Sequence, residues 1–154
     1  MTENIQGIID QYIDLNFSVH RKGELLIKEQ IDADLTNDQH FILRYICKKG
    51  SCTSSELAEE FGVHKSAITA IVNRMWEKGF IKRTRDDQDR RVVYLTLTDE
   101  GRELYEKTAD RIYRLVESFI KQFEHEEIRQ FMKTYEKLNQ ILIESKDFKA
   151  RDDA

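Results

Sequence analysis

The chain has 154 residues, 35% of them charged and 40% hydrophobic, with a net charge of −4, the make-up of about one globular domain. No apolar run approaches the ~18 residues of a membrane span, and no basic-then-apolar signal pattern opens the sequence, so a cytoplasmic location with no membrane partner is expected. Cys47 and Cys52, spaced neither as CxxC nor as a zinc knuckle, give no disulfide framework and leave either an oxidant sensor or ordinary reduced thiols.

A first amphipathic helix is predicted over about residues 5–30, with Ile5, Ile8, Ile9, Tyr12 and Ile13 along one face. "TNDQ", Thr36 to Gln39, has the form of a capping box and opens a helix carrying Ile42, Leu43 and Ile46 that ends near Gly50. "TSSE", Thr53 to Glu56, reads as a second capping box before a short helix with Leu57 and Ala58 inward. Gly62 then permits a tight turn, with Val63 plugging the corner. The next helix, about residues 64–78, buries Ile68, Ile71, Val72 and Met75 and ends at Gly79, which suits the left-handed position. "FIKRTR" and "RVVYLTL" read as two strands of a hairpin, joined by the five residues between Arg85 and Arg91. Val93, Leu95 and Leu97 take one face; Val92, Tyr94 and Thr96 take the other.

Thr98 is placed to cap a long helix reaching about residue 123, with Leu104 or Tyr105, Ala109, Ile112, Val116, Phe119 and Phe123 as its stripe. A last helix, about residues 125–144, carries Ile128, Phe131 or Met132, Tyr135, Leu138 and Ile141 or Leu142; the final "KDFKARDDA" reads as disordered. The expected fold class is mainly α with a small antiparallel β-hairpin wing. It is a single domain, 1–154, with a winged helix-turn-helix over 33–98 and flanking helices over 5–30 and 99–145. Those flanking helices present more apolar stripe than one small core can cover, which predicts a homodimer; the alternative is an extended monomeric bundle.

From His64 to Arg91 there are eight bases (Lys65, Arg74, Lys78, Lys82, Arg83, Arg85, Arg90, Arg91) against four acids, whereas the rest of the chain holds seventeen bases and twenty-five acids. A basic module in an acidic frame suits a nucleic-acid partner. With its apolar positions buried, the helix after Gly62 leaves Lys65, Ser66, Thr69, Ala70 and Asn73 outside, with Arg74 at the margin. Hydroxyls and an amide can read base edges in a major groove, and Lys65 can meet a phosphate or a guanine. The hairpin carries Arg90 and Arg91 at its tip, and a narrow minor groove attracts an inserted guanidinium. Asp89 is placed to hold Arg91 extended, while Asp86 and Asp87 are expected to make the turn and pair locally with Arg83 or Arg85.

The stretch from Leu35 to Gly101 resembles the multiple antibiotic resistance regulator (MarR) family of bacterial repressors, most specifically through the wing pattern D-x-R followed by an alternating strand and "LT-x-x-G", met by Asp89, Arg91, Leu97, Thr98 and Gly101. The resemblance implies a homodimer knitted by the first and last helices and bound to an inverted-repeat operator in double-stranded DNA. It puts Arg91 in the minor groove with Asp89 orienting it, and Ser66, Thr69 and Asn73 toward the major groove. With the other exposed cations, the DNA-binding set is Lys65, Ser66, Thr69, Asn73, Arg74, Arg83, Arg85, Asp89, Arg90 and Arg91. Departures from the family pattern are Ala70 where a base is frequent, His64 where a small capping residue is usual, and Asp87 where proline is frequent.

The resemblance also implies a small-molecule effector, bound where the dimer helices meet the DNA-binding region. Asn16, His20, His40, Arg44 and Tyr45 are the polar and aromatic candidates, each with an ordinary structural role as its alternative. By analogy the effector is a phenolic or other amphipathic anion. A peroxide sensor would carry a cysteine in the first helix, and a zinc sensor paired histidines after the wing; neither is present. "HEEIR" at His125 is not HExxH, so no metal and no cofactor are implied. No glycine-rich phosphate loop or GxSxG is found, which argues against an enzyme. The remaining rival is a winged-helix module that docks an acidic protein partner without reading DNA.

Overall fold

The computed structural model describes residues 2–31 and 34–145, so the tail expected to be disordered and the first residue of the 33–98 segment lie outside it. Six helices and one hairpin follow in the order α1 (Thr2–Gln30), α2 (Asn37–Lys49), α3 (Ser54–Phe61), α4 (Lys65–Glu77), β1 (Ile81–Arg85), β2 (Val93–Leu97), α5 (Asp99–Ile120) and α6 (His125–Glu144). The core is the winged helix-turn-helix itself. Ile42, Leu43 and Ile46 of α2, Leu57 of α3, Ile68, Val72 and Met75 of α4, Ile81 of β1 and Leu95 of β2 close on one another with almost no exposure. Each such side chain stabilises the fold by about 1.5–3 kcal/mol relative to leaving it in water.

The first predicted cap is complete. The Thr36 hydroxyl accepts from the Gln39 amide at 3.2 Å, and the Gln39 side chain accepts from the Thr36 amide at 3.1 Å. Thr36→Ala should cost about 1 kcal/mol in urea denaturation, the usual worth of such a cap. The second cap is only half formed: Thr53 accepts from the Glu56 amide at 3.2 Å, but Glu56 does not reach back. Gly62 turns the chain from α3 to α4 in the left-handed conformation, with φ +62° and ψ +37°, while Val63 stays 37% exposed, outside the core.

The hairpin is antiparallel, with Ile81 paired to Leu97, Arg83 to Leu95 and Arg85 to Val93. Its connection is longer than expected, residues 86–92, and Val92 falls just outside the strand. Cys52 adds a bridge on the other side of Leu95, with amide-to-carbonyl distances of 3.2 and 2.7 Å. That burial pushes the Cys52 thiol up to about 12, the opposite of an oxidant-sensing cysteine.

Helix α5 starts against the end of α4. Thr98 donates its hydroxyl to the Gly79 carbonyl at 2.6 Å and accepts from the Gly101 amide at 3.0 Å, and its own amide meets the Phe80 carbonyl at 3.1 Å. Of the two candidates for its first inward position, Tyr105 is buried and Leu104 only partly so. Helix α6 buries none of its residues within the chain, and Ile5, Ile8, Ile9, Tyr12 and Ile13 of α1 are all exposed.

Candidate nucleic-acid interface

Lys65, Ser66, Thr69, Asn73 and Arg74 of α4 are exposed, opposite the buried line of Ile68, Val72 and Met75, because residues three, four and seven apart share a helix face. Thirteen residues make a rod of about 20 Å, and a major groove about 12 Å wide admits it. His64 caps this helix without a side-chain hydrogen bond. Thr69 donates its hydroxyl to the Lys65 carbonyl at 2.8 Å, so it faces outward as an acceptor and a methyl group. Asn73 is not free either: its Oδ1 accepts a hydrogen bond from Arg83 of β1.

The wing tip is held by two aspartates with different tasks. Asp86 Oδ1 accepts from the amides of Gln88 at 2.8 Å and Asp89 at 3.3 Å, and Asp86 Oδ2 accepts from the Tyr94 hydroxyl at 3.2 Å. The two backbone bonds, with help from Tyr94, hold the Asp86 carboxyl below its ordinary range. Asp86 thus makes the turn, but it does not pair with Arg83 or Arg85. Successive residues of a strand point to opposite faces, so Thr84, Asp86 and Tyr94 share one side of the ribbon while Arg83 and Arg85 lie on the other. Arg85 donates to the Arg90 carbonyl at 3.2 Å.

Asp89 turns to Arg91. Its Oδ1 accepts from both the amide and the Nε of Arg91, each at 3.1 Å, and its Oδ2 lies 3.4 Å from Nη2. The guanidinium is held extended at the tip with 91% of the side chain exposed. Arg90 is exposed beside it. The arrangement presents a cation on a short hydrogen-bonded ribbon, next to a polar helix face of groove-fitting length. Such a surface can neutralise phosphates and reach base edges.

The five effector candidates do not converge. His40 and Arg44 line an open cavity of about 610 Å³ between α1, α2 and α5, with Ile27, Phe41, Tyr105, Ala109, Ile112, Tyr113 and Val116 among its walls. Arg44 and Tyr45 line a second cavity, of about 330 Å³, between α2 and α3. Asn16 lines a third with residues of α6, and His20 is exposed on α1 and lines none of the three. Asn16 and Ile27 are eleven residues apart on one helix, hence about 16 Å apart along it, too far for one small ligand.

His40 is 2% exposed, stacks on Tyr105 at 5.7 Å, and has no hydrogen-bond partner on Nδ1. Burial, and next the Arg44 charge, push its pKa down to about 4, so the imidazole is neutral at pH 7. Thr108, also buried, has an unpartnered hydroxyl. Sequence reasoning passed over Thr108, Trp76 and Tyr94, because a threonine or an aromatic at helical or strand spacing carries no mark of what it faces. Among the described residues no three His, Cys, Asp or Glu side chains come together to hold a metal ion. No helix there is long and apolar enough to cross a membrane.

The model of the MarR family matches residues 35–93. The uncharacterized HTH-type transcriptional regulator YwhA of Bacillus subtilis is 34% identical over 106 residues, covering 69% of this chain and 76% of the relative. The HTH-type transcriptional repressor MdtR of the same organism is 45% identical over 67 residues, 44% of this chain and 43% of that one. A mutant MarR from E. coli, solved in complex with operator DNA, superposes with a TM-score of 0.75 at 24% identity, covering 84% of this chain and 94% of that chain. At that identity the likeness speaks for the fold.

Proposed function

The chain belongs to the MarR family of DNA-binding transcriptional regulators, and from that premise we propose that it is a ligand-responsive repressor that binds an inverted-repeat operator as a homodimer. It is a regulator, not an enzyme. The observation that carries the operator reading is the Asp89–Arg91 fork at the wing tip, beside the exposed face of α4. In this reading Arg91 enters the minor groove, Ser66, Thr69 and Asn73 face base edges, and Lys65, Arg74, Arg85 and Arg90 meet phosphates. Repression is the direction named for MdtR.

Dimerisation through residues 5–30 and 99–145 accounts for the uncovered stripes of α1 and α6. The effector reading rests on the cavity between α1, α2 and α5, which joins the flanking helices to the winged region. Its neutral His40 offers a ring nitrogen without a partner, and Arg44 offers a cation. A phenolic acid supplies both a hydroxyl donor and an anion to match.

Selection of sheared genomic DNA on the purified protein, at about 50 and 200 mM salt, tests the operator reading. Enrichment of one inverted repeat, with affinity falling by orders of magnitude between the two salts, is the expected result. No enrichment at either salt would overturn it and favour an acidic protein partner.

A further inference from the structure

Arg83 was expected among the DNA contacts, and it is exposed, yet its side chain is engaged by α4 rather than left free. It sits on the same face of the sheet as Ile81 and Leu95, since alternate strand residues share a face. Ile81 is buried under the core, and two residues further on that face runs past the core's edge to the second half of α4. There Arg83 donates from Nη2 to Asn73 Oδ1, and its guanidinium carbon lies 5.1 Å from the centre of the Trp76 ring. Trp76, three residues beyond Asn73 on α4, is half exposed and serves as a flat plate under the cation.

A guanidinium has donors and no acceptor, so the amide atom that meets it must be the oxygen of Asn73. The Asn73 nitrogen, with its two N–H donors, is then turned away from the wing. This matters for reading bases. Asparagine recognises adenine with both ends of its amide, the oxygen accepting from the adenine amino group and the nitrogen donating to N7. With the oxygen drawn to Arg83, the outward end of Asn73 carries donors alone. Donors alone match an edge that shows acceptors, guanine O6 and N7 or thymine O4.

We infer that Arg83 is a positioning residue that sets the base preference of Asn73, clamping its amide so that it reads an acceptor edge rather than adenine. This rests on the operator reading above. Trp76 holds the clamp, and Arg83 itself touches no phosphate.

The test uses the full chain and the operator recovered by selection, with every single base-pair variant of one half-site. Affinities are measured for the wild type, Arg83→Ala, Arg83→Lys, Asn73→Ala and the double variant Arg83→Ala/Asn73→Ala, at two salt concentrations. Arg83→Ala should shift the preference at one position of the half-site toward adenine and weaken the native operator by roughly 5- to 150-fold, the worth of a good bidentate base contact. Asn73→Ala should flatten the same position, and the double variant should be no weaker than Asn73→Ala, because residues acting through one contact do not add. Arg83→Lys keeps the charge but loses the planar fork, so it should not restore the preference. The salt slope of Arg83→Ala should equal that of the wild type.

A phosphate contact would behave otherwise: uniform weakening of all variants, a salt slope lower by about one per protomer, additivity with Asn73→Ala, and rescue by lysine. Any of these, or an unaltered base preference in Arg83→Ala, overturns the inference alone. A wild type that selects no operator removes the operator reading, and this inference with it.

Discussion

Arg91→Ala is expected to weaken the operator complex by ~1–3 kcal/mol per wing, the range of a good groove contact, and a dimer loses both wings at once. The physical reason is preorganisation. A free arginine would surrender its rotamer freedom on entering a groove, whereas here Asp89 already fixes the Nε edge at 3.1 Å and leaves the rest exposed. Asp89→Asn should therefore cost less than Arg91→Ala but act at the same base pairs, since the amide oxygen still accepts but carries no charge. The fold should not change, because a substitution at so exposed a site usually alters stability by no more than about 0.5 kcal/mol. Fluorescence anisotropy on a short operator duplex, with urea denaturation as the control, separates the two effects. Unchanged affinity in Arg91→Ala would remove the wing from the interface.

Gly101→Ala should have the largest effect on stability, and with a sign opposite to habit. In a helix interior, glycine to alanine is ordinarily a gain of about 1 kcal/mol. A Cβ on Gly101 would stand 2.1 Å from the Phe80 carbonyl oxygen and 2.9 Å from its carbon, both backbone atoms that no rotamer change can remove. The helix start and the α4–β1 turn are meanwhile tied by both bonds of the Thr98 hydroxyl. A loss at or above the ~1–3 kcal/mol usual for overpacking is expected. Gly23→Ala provides the contrast: a Cβ there meets nothing within 4 Å inside the chain, so the ordinary gain should appear. A gain at both sites in urea denaturation would show that α5 does not seat against the turn as described.

Element order, helix bounds and core were largely legible in the residues because they depend on local signals. The "TNDQ" cap, the periodic Ile42, Leu43 and Ile46, and the alternation of Val93, Leu95 and Leu97 each act over a few positions. "TSSE" shows the limit of such signals: Thr53 caps, but Glu56 has no need to turn back where water can serve the amide. At the candidate site, Asp89 and Arg91 were legible because they are two residues apart. Arg83 with Asn73, and Asp86 with Tyr94, were not, since each pairing is set by which face of the ribbon a residue takes and what that face meets. The effector candidates do not all gather at one place for a similar reason. The length of α1 sets Asn16 in a hollow against α6, while Arg44 borders both the hollow that holds His40 and the one that holds Tyr45.

The last helix, which buries nothing within its own chain, bears on how the protein comes to exist. A newly made copy leaves the ribosome with apolar stripes on α1 and α6 that its own chain does not cover. In the dimer proposed above, those stripes are covered by another copy, so for this part of the molecule folding and encounter are one bimolecular event. The intact fraction then rises with expression level, and scarce copies stand open to proteases before they pair. A cell that makes little of this regulator would have even less of it in working order than the number of chains suggests.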